Sequence, residues 1–565
     1  MAERRGFIAA ERGRIAAVFA ITAQLAGVAC TTTPAADAGV DAPVTPIDVT
    51  SDTAPPDAAT DAPLDASEMD AVTDAVTDAV TDAPTMDAGR DGGMRRDGGA
   101  SDASGDVTIT MSVDVFTDDA FTGPELLARP TDRSIAVHVV PTRAVEIYYE
   151  YGASPGVYSG RTETQSVAAR TPALTVLSPL TANTRYYYRL RYRAPGEATF
   201  ASREEHSFFT QRARGSTFTF TVQADSHLDD RSDYSVYAST LTNVLRDRPD
   251  FHVDLGDTFM CEKHTTPFMA ETLAAMDAPT VDARYAFDRA NFARIGHSVP
   301  VFLVNGNHEG ESGWFLDGTA NNIAVWATLS RKRYFANPEA DAFYSSTTDA
   351  EPIVGTRQAF YAFEWGDALF ITLDPYWYTR ARPTADRWRW TLGEAQYQWL
   401  RRVLAGSTAT HKFVFLHHLL GGVNAEARGG VEAAPFYEWG GLNEDRTQGF
   451  AAHRPGWPAP IHQLLRDAHV TAVFHGHDHV YVRQELDGIV YQEVPQPSAS
   501  NFTNGATIAA EGGYDSGVVM SSSGHLRVVV SPSSVVVDYV RATPPAGMRI
   551  PDGGVGGYSY TLVPR

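Results

Sequence analysis

Cysteine is nearly absent: Cys30 and Cys261 are the only two in 565 residues, which excludes a disulfide-stapled scaffold. Positive charge is scarce as well. Forty-six Lys and Arg face 69 Asp and Glu, for a net charge of −23. An electrostatic partner such as nucleic acid or an anionic membrane surface is therefore not expected. Beyond residue 30 no apolar run approaches the roughly 20 residues that span a bilayer. Aromatic and large aliphatic side chains are almost missing from 31–105, although the whole chain is 43% hydrophobic and 11% aromatic. At roughly 100–200 residues per domain, the length still allows two to four domains.

Residues 1–30 read as an export signal. Arg4, Arg5, Arg12 and Arg14 precede an apolar run from Ile15 to Ala29, broken only by Thr22 and Gln24. The segment ends Gly27-Val28-Ala29-Cys30 and resembles a bacterial lipoprotein signal, in which the cysteine becomes the lipidated first residue. Gly27 stands where leucine is usual in that pattern, and ordinary signal-peptidase cleavage is the alternative. Either route puts the mature chain outside the cytoplasm, in a bacterial periplasm or at the cell surface. Residues 31–105 then carry 16 acidic against three basic side chains, with Asp-Ala-Val-Thr repeated from Asp70, Asp74 and Asp78. Such a segment buries too little apolar area to offset its ordering entropy, and it reads as a disordered, self-repelling tether. Membrane contact is expected only through the lipid anchor at Cys30.

From 107 to 212 the pattern changes to short strands of period two. Examples are Ser134–Val140, Val145–Tyr151, Thr184–Tyr192 and His206–Thr210, as expected for a β-sandwich. No histidines or carboxylates cluster in that stretch. It reads as structural packing, with a spacer or one wall of a cleft as the functional alternative.

From 216 to 545 strands alternate with helical stretches, an α/β pattern. Five apolar strands end in chemically competent side chains: Asp225-Ser-His227, Gly256-Asp257, Gly306-Asn307-His308-Glu309, His417-His418, and Gly476-His477-Asp478-His479. Taken singly these signals are weak. Together, loops at the carboxyl ends of strands converge on one crevice in an open α/β sheet, and charges gathered there are costly unless something binds them.

The five blocks, in this order, resemble the calcineurin-like metallophosphoesterase superfamily. With the Leu180–Tyr188 and Ser207–Thr210 strands ahead of them, the layout is similar to purple acid phosphatases with their fibronectin type III-like N-terminal domain. The resemblance implies a four-layer α/β/β/α sandwich that binds two transition-metal ions, Fe, Mn or Zn. One ion would take Asp225, His227, Asp257 and His479; the other would take Asp257, Asn307, His417 and His477. His308 matches the catalytic histidine that is not a ligand. The implied reaction is hydrolysis of a small phosphate monoester by water acidified between the metals. Purple acid phosphatases carry Asp-x-Gly in the first block and a Tyr three residues after the bridging Asp. Here those positions are His227 and Met260, so no tyrosine–iron charge-transfer colour is expected.

Several residues carry weaker readings. Arg428, within the Gly-rich stretch Gly421–Trp457, could clamp a phosphoryl oxygen, or simply pair with a nearby Glu. His418 could touch substrate, although a structural hydrogen bond suits its position better. His475 reads as core, Cys261 as a buried inert thiol, and Asp254 as a supporting carboxylate. Phe259–Phe292 reads as a helical insertion, and His525–Tyr539 as closing strands of a second sheet. Two rival functions stand beside monoester hydrolysis. One is a phosphodiesterase or nucleotide hydrolase on the same site; the other is a non-catalytic surface binding protein.

Overall fold

The computed structural model describes residues 120–229, 232–261, 276–424, 426–544 and 556–564. The leader with Cys30, the acidic segment 31–105 and the first residues of the 107–212 region lie outside the described residues. Among the described residues no helix is long and apolar enough to cross a membrane.

The period-two stretches form nine strands: β1 (Leu126–Ala128), β2 (Ile135–Val139), β3 (Val145–Gly152), β4 (Gly160–Arg161), β5 (Gln165–Val167), β6 (Ala173–Leu177), β7 (Arg185–Arg193), β8 (Ala201–Ser202) and β9 (His206–Phe209). They pair antiparallel in two sheets. One is β1-β2-β6; the other runs β4-β3-β7-β8, with β5 on β3 and β9 on β7. β7 shows why. Tyr186, Tyr188 and Leu190 turn into the core while Arg185, Arg189, Arg191 and Arg193 take the other face, as alternation requires. This all-β region is fastened to the next by buried polar contacts. The Arg289 guanidinium donates from Nε to His138 Nδ1 (3.1 Å) and from Nη2 to the His138 carbonyl (2.8 Å), and the Tyr188 hydroxyl donates to the His297 carbonyl (2.7 Å).

The second region has two sheets. The first contains β10 (Phe218–Gln223), β11 (Phe251–Asp254) and β12 (Val301–Leu303), mutually parallel, extended beyond β10 by β20 (Gly524–Ser531), β21 (Ser534–Arg541) and β22 (Ser559–Leu562). The second runs β13 (Tyr361–Trp365), β14 (Ala368–Thr372), β15 (His411–Phe415), β16 (Ala472–His475), β18 (Ile489–Glu493), β17 (Tyr481–Leu486), β19 (Val518–Met520), and its centre β14-β15-β16-β18 is parallel. The expectation that His525–Tyr539 closes the second sheet is corrected: β20 pairs antiparallel with β10 in the first. Leu526, Val528, Val530, Val535 and Val537 then point into the same inter-sheet core as Phe220 and Phe251.

That core is aromatic, with Phe220, Phe251, Phe302, Phe363, Phe370, Phe413, Phe415 and Phe474 interleaved between the sheets. At roughly 1.5–3 kcal/mol for each fully buried phenylalanine, it is the largest apolar contribution holding the two sheets face to face. Helices cover the outer faces. α1 (Tyr234–Asp247) starts on the Asp233 carboxylate, which accepts from the Ser235 and Val236 N–H groups, and it buries Val236, Tyr237, Thr240, Leu241 and Val244 along one stripe. α2 (Ala278–Gly296) and α3 (Ile323–Tyr334) share that side. α4 (Gly393–Gly406) and α5 (Ile461–Asp467) cover the second sheet. The layers are α/β/β/α. Of the expected insertion, α2 supplies the helix, and residues 262–275 lie outside the described residues. The Gly421–Trp457 stretch holds two one-turn helices, Tyr437–Gly440 and Phe450–His453.

Candidate metal centre

Each block follows directly on a parallel strand. Asp225 and His227 follow β10, Asp257 follows β11, Asn307 and His308 follow β12, His417 follows β15, and His477 and His479 follow β16. All five turns therefore open at one edge of the two sheets. The turns are tight. Asp225, His227, Asp257, His477 and His479 have φ of 63°, 53°, 52°, 84° and 56°, a left-handed conformation uncommon for residues with a side chain. Gly256, at φ 94°, is required where it stands: a Cβ there would lie 2.1 Å from the backbone N of Gly306.

The two carboxylates divide their oxygens in the same way. Asp225 Oδ2 accepts the His477 backbone N–H (2.8 Å), and Asp257 Oδ1 accepts the His308 backbone N–H (2.8 Å). Each side chain thus ties one ligand turn to another and leaves its second oxygen for the histidines. Asp257 Oδ2 lies 3.1 Å from His417 Nε2 and 3.9 Å from both His227 Nε2 and His308 Nε2. Asp225 Oδ1 lies 3.5 Å from His479 Nε2 and 3.8 Å from His227 Nε2.

The imidazoles are oriented by their far nitrogens. His417 Nδ1 sits 3.0 Å from the Leu255 carbonyl, and His477 Nε2 sits 2.7 Å from the Glu426 carbonyl; each ring donates there and turns its other nitrogen inward. His417 Nε2 and His477 Nδ1 are then 3.2 Å apart, and His227 Nε2 and His479 Nε2 are 2.8 Å apart. Two groups with metal-ligand geometry result: Asp225, His227, His479, and Asp257, His417, His477, with the ligand atoms of each group within 4.8 Å of one another. Buried acceptors with no hydrogen-bond donor complete the case. Asp225 Oδ1 and Asn307 Oδ1 are both in that state, which is costly unless a cation takes the lone pairs. The residues fit a pair of metal ions.

A cleft of about 400 Å³ opens over the centre and is lined by His227, Asp257, His308, His477 and His479. Met260 and Arg428 border it too. Arg428 pairs with a nearby Glu, as its second reading had it. It reaches the cleft, yet its guanidinium is engaged with Asp478 Oδ1 and Glu426 Oε2, both at 2.8 Å. His418 makes the structural hydrogen bond that suited its position better, and it is not among the residues lining the cleft. It is 2% exposed, its Nδ1 faces the Leu419 carbonyl, and its ring is wedged 4.5 Å from that of Trp390. Among the described residues none of 120–212 lines the cleft, so that part of the all-β region is not its wall.

Two residues of the blocks, Glu309 and Asp478, take supporting tasks that sequence reasoning did not assign. The Glu309 carboxylate accepts N–H bonds from Asp257, Thr258 and Gly306, clamping two ligand turns together. Asp478, buried between two ligand histidines, accepts from the Gly429 N–H and the Tyr514 hydroxyl, while its own N–H donates to Glu493. His475, read as core, pairs with Glu493 at 2.6 Å. Asp254 accepts the Gly256 N–H (2.9 Å) and so holds the turn that carries Asp257, in keeping with its reading as a supporting carboxylate. Cys261 is buried.

Burial disfavours a charged His417, but Asp257 and Asp225 raise its pKa to about 10. Burial and neighbouring histidines hold His477 well below the ordinary value and His479 at about 4. Without a cation, the centre keeps a proton on His417.

Residues 218–481 match a family model described as calcineurin-like phosphoesterase. No curated protein matches the chain. Among solved structures the fold is similar to that of PhoD, with 15% identity and a TM-score of 0.57 over 80% of this chain and 91% of that one. It is also similar to the purple acid phosphatase PPD1 from yellow lupin (Lupinus luteus) seeds, with 15% identity and a TM-score of 0.51 over 78% of this chain and 75% of that one.

Metal binding must expel the His417 proton, so apparent affinity should rise about tenfold per pH unit from pH 6 to 8. Zn²⁺ calorimetry in buffers of different ionisation enthalpy should detect about one proton released per chain; a pH-independent affinity with no release would contradict this protonation state.

Proposed function

We propose that this chain, whose residues 218–481 match a family model described as calcineurin-like phosphoesterase, is a phosphoesterase that hydrolyses small phosphate monoesters outside the cytoplasm at a centre of two transition-metal ions. The observation that carries this reading is the placement of Asp257 Oδ2 within 4 Å of imidazoles from both candidate ligand groups. Asp225, His227, Asp257 and His479 would hold one ion, and Asp257, Asn307, His417 and His477 the other. Mixed nitrogen and oxygen donors suit Fe, Mn or Zn. Bound there, the ions supply Lewis acidity toward phosphate and water.

The chain's own residues do the rest. His308 lines the cleft with its Nε2 3.9 Å from Asp257 Oδ2. It is placed to give a proton to the leaving oxygen as the P–O(R) bond breaks and water oxygen bonds to phosphorus. The products are the free alcohol and inorganic phosphate, and no phosphorylated side chain is needed. A small cleft whose described lining holds one arginine favours one compact ester group over a diester. Export and anchoring at Cys30 belong to the same proposal and are supported by the leader's residue pattern. So does a fibronectin type III-like spacer role for the all-β region, supported by its antiparallel sheets and its absence from the cleft lining.

His308→Ala should keep its metal and lose about 100-fold or more in kcat on p-nitrophenyl phosphate, measured by nitrophenolate release. Wild-type protein should prefer that monoester to the bis-ester; the opposite preference would replace monoesterase by diesterase. Separately, labelled palmitate should enter the wild-type chain in bacterial membranes and not Cys30→Ser, and equal labelling would remove the anchor.

A further inference from the structure

One side of the cleft is unlike the metal side. Its described lining there comes from the segment after β18 and includes Gln496, Ser500, Asn501, Asn504, Ile508 and Ser522. Five of these six are neutral amides or hydroxyls. Asn504 stands at the N-cap of the helix Gly505–Glu511, where an asparagine ordinarily accepts a backbone N–H, yet it makes no such bond. Asn501 engages only its Oδ1, with the Thr503 N–H and hydroxyl, which leaves its amide NH₂ uncommitted. Gln496 engages its NH₂ with Ser498, which leaves its carbonyl oxygen. The Asn501 NH₂ and the Gln496 side-chain oxygen, one donor and one acceptor, are thus not consumed in holding the loop, whereas the Ser522 hydroxyl donates to the His479 carbonyl and accepts the Gln496 N–H.

What this wall lacks is also informative. No Phe, Tyr or Trp lines the cleft among the described residues, and these offer no aromatic face for a nucleobase to stack on. Among the described lining residues the one arginine, Arg428, is already paired with Asp478 and Glu426.

Resting on the monoesterase reading above, we infer that the substrate class is the phosphate monoester of an uncharged, hydroxyl-rich alcohol, a polyol or a monosaccharide. The phosphate lies at the metal centre and the alcohol's hydroxyls hydrogen-bond to Asn501, Asn504 and Gln496. A wall built to bond hydroxyls discriminates strongly against an analogue lacking them, because its polar groups then go unpaired.

The test compares glycerol 1-phosphate with propyl phosphate, which differ only in two hydroxyls, with adenosine monophosphate as a third arm, on the metal-loaded full chain. The kcat/KM ratio of glycerol 1-phosphate to propyl phosphate should exceed about tenfold, with adenosine monophosphate below glycerol 1-phosphate, and Asn501→Ala/Asn504→Ala should collapse the ratio toward one. Equal use of the two alkyl esters, preference for adenosine monophosphate, or an unchanged ratio in the double variant would overturn the substrate class while monoester hydrolysis stands. Failure to hydrolyse any monoester, p-nitrophenyl phosphate included, would overturn both readings.

Discussion

The centre depends on how two buried carboxylates share their oxygens. Asp225 and Asp257 each spend one oxygen on a backbone N–H from another ligand turn, and each leaves the other facing imidazole nitrogens. The first contact fixes the turns in space; the second creates a concentration of lone pairs that protein groups do not satisfy. An isolated buried carboxylate would be costly, and the histidines alone offset that cost only by holding a proton. Positioning and metal affinity are therefore one property of the same two side chains.

Left-handed backbone at five ligand-type residues would not persist in an isolated turn. Around it stands an over-determined frame. Glu309 gathers three backbone N–H groups from two turns, Asp254 holds Gly256, and Asp478 is locked by Gly429, Tyr514 and Arg428. Beneath that frame, the phenylalanines between the sheets keep both sets of strand ends at one edge. The apolar packing thus sets where the ligands start, and the buried polar network sets where they point.

Much of this was legible in the residues. Apolar strands ending in Asp-x-His, Gly-Asp, Asn-His-Glu, His and His-x-His named the side chains that now converge, because period, turn and ligand type are all local signals. Glu309 was visible as part of its block, yet its task depends on Thr258 and Gly306 being neighbours, which only pairing of β11 with β12 provides. Strand order misled where pairing is non-local. His525–Tyr539 reads as a strand pair in either sheet, and only the edge of β10 decides. The polar wall at 496–504 carries no motif. Its clue was topological: it follows β18, which lies parallel to β16, so it leaves the sheet at the same edge as His477. Arg428 was readable as a cleft residue but not as the partner of Asp478, since that pair is 50 positions apart.

If Asp257 serves both ligand groups, its loss must unload them together. Plasma emission analysis of the purified chain should find about two transition-metal ions in the wild type, and well under one in Asp257→Asn at unchanged secondary structure. A wild type without transition metal, or an Asp257→Asn protein that keeps its full complement, would contradict a shared dinuclear centre.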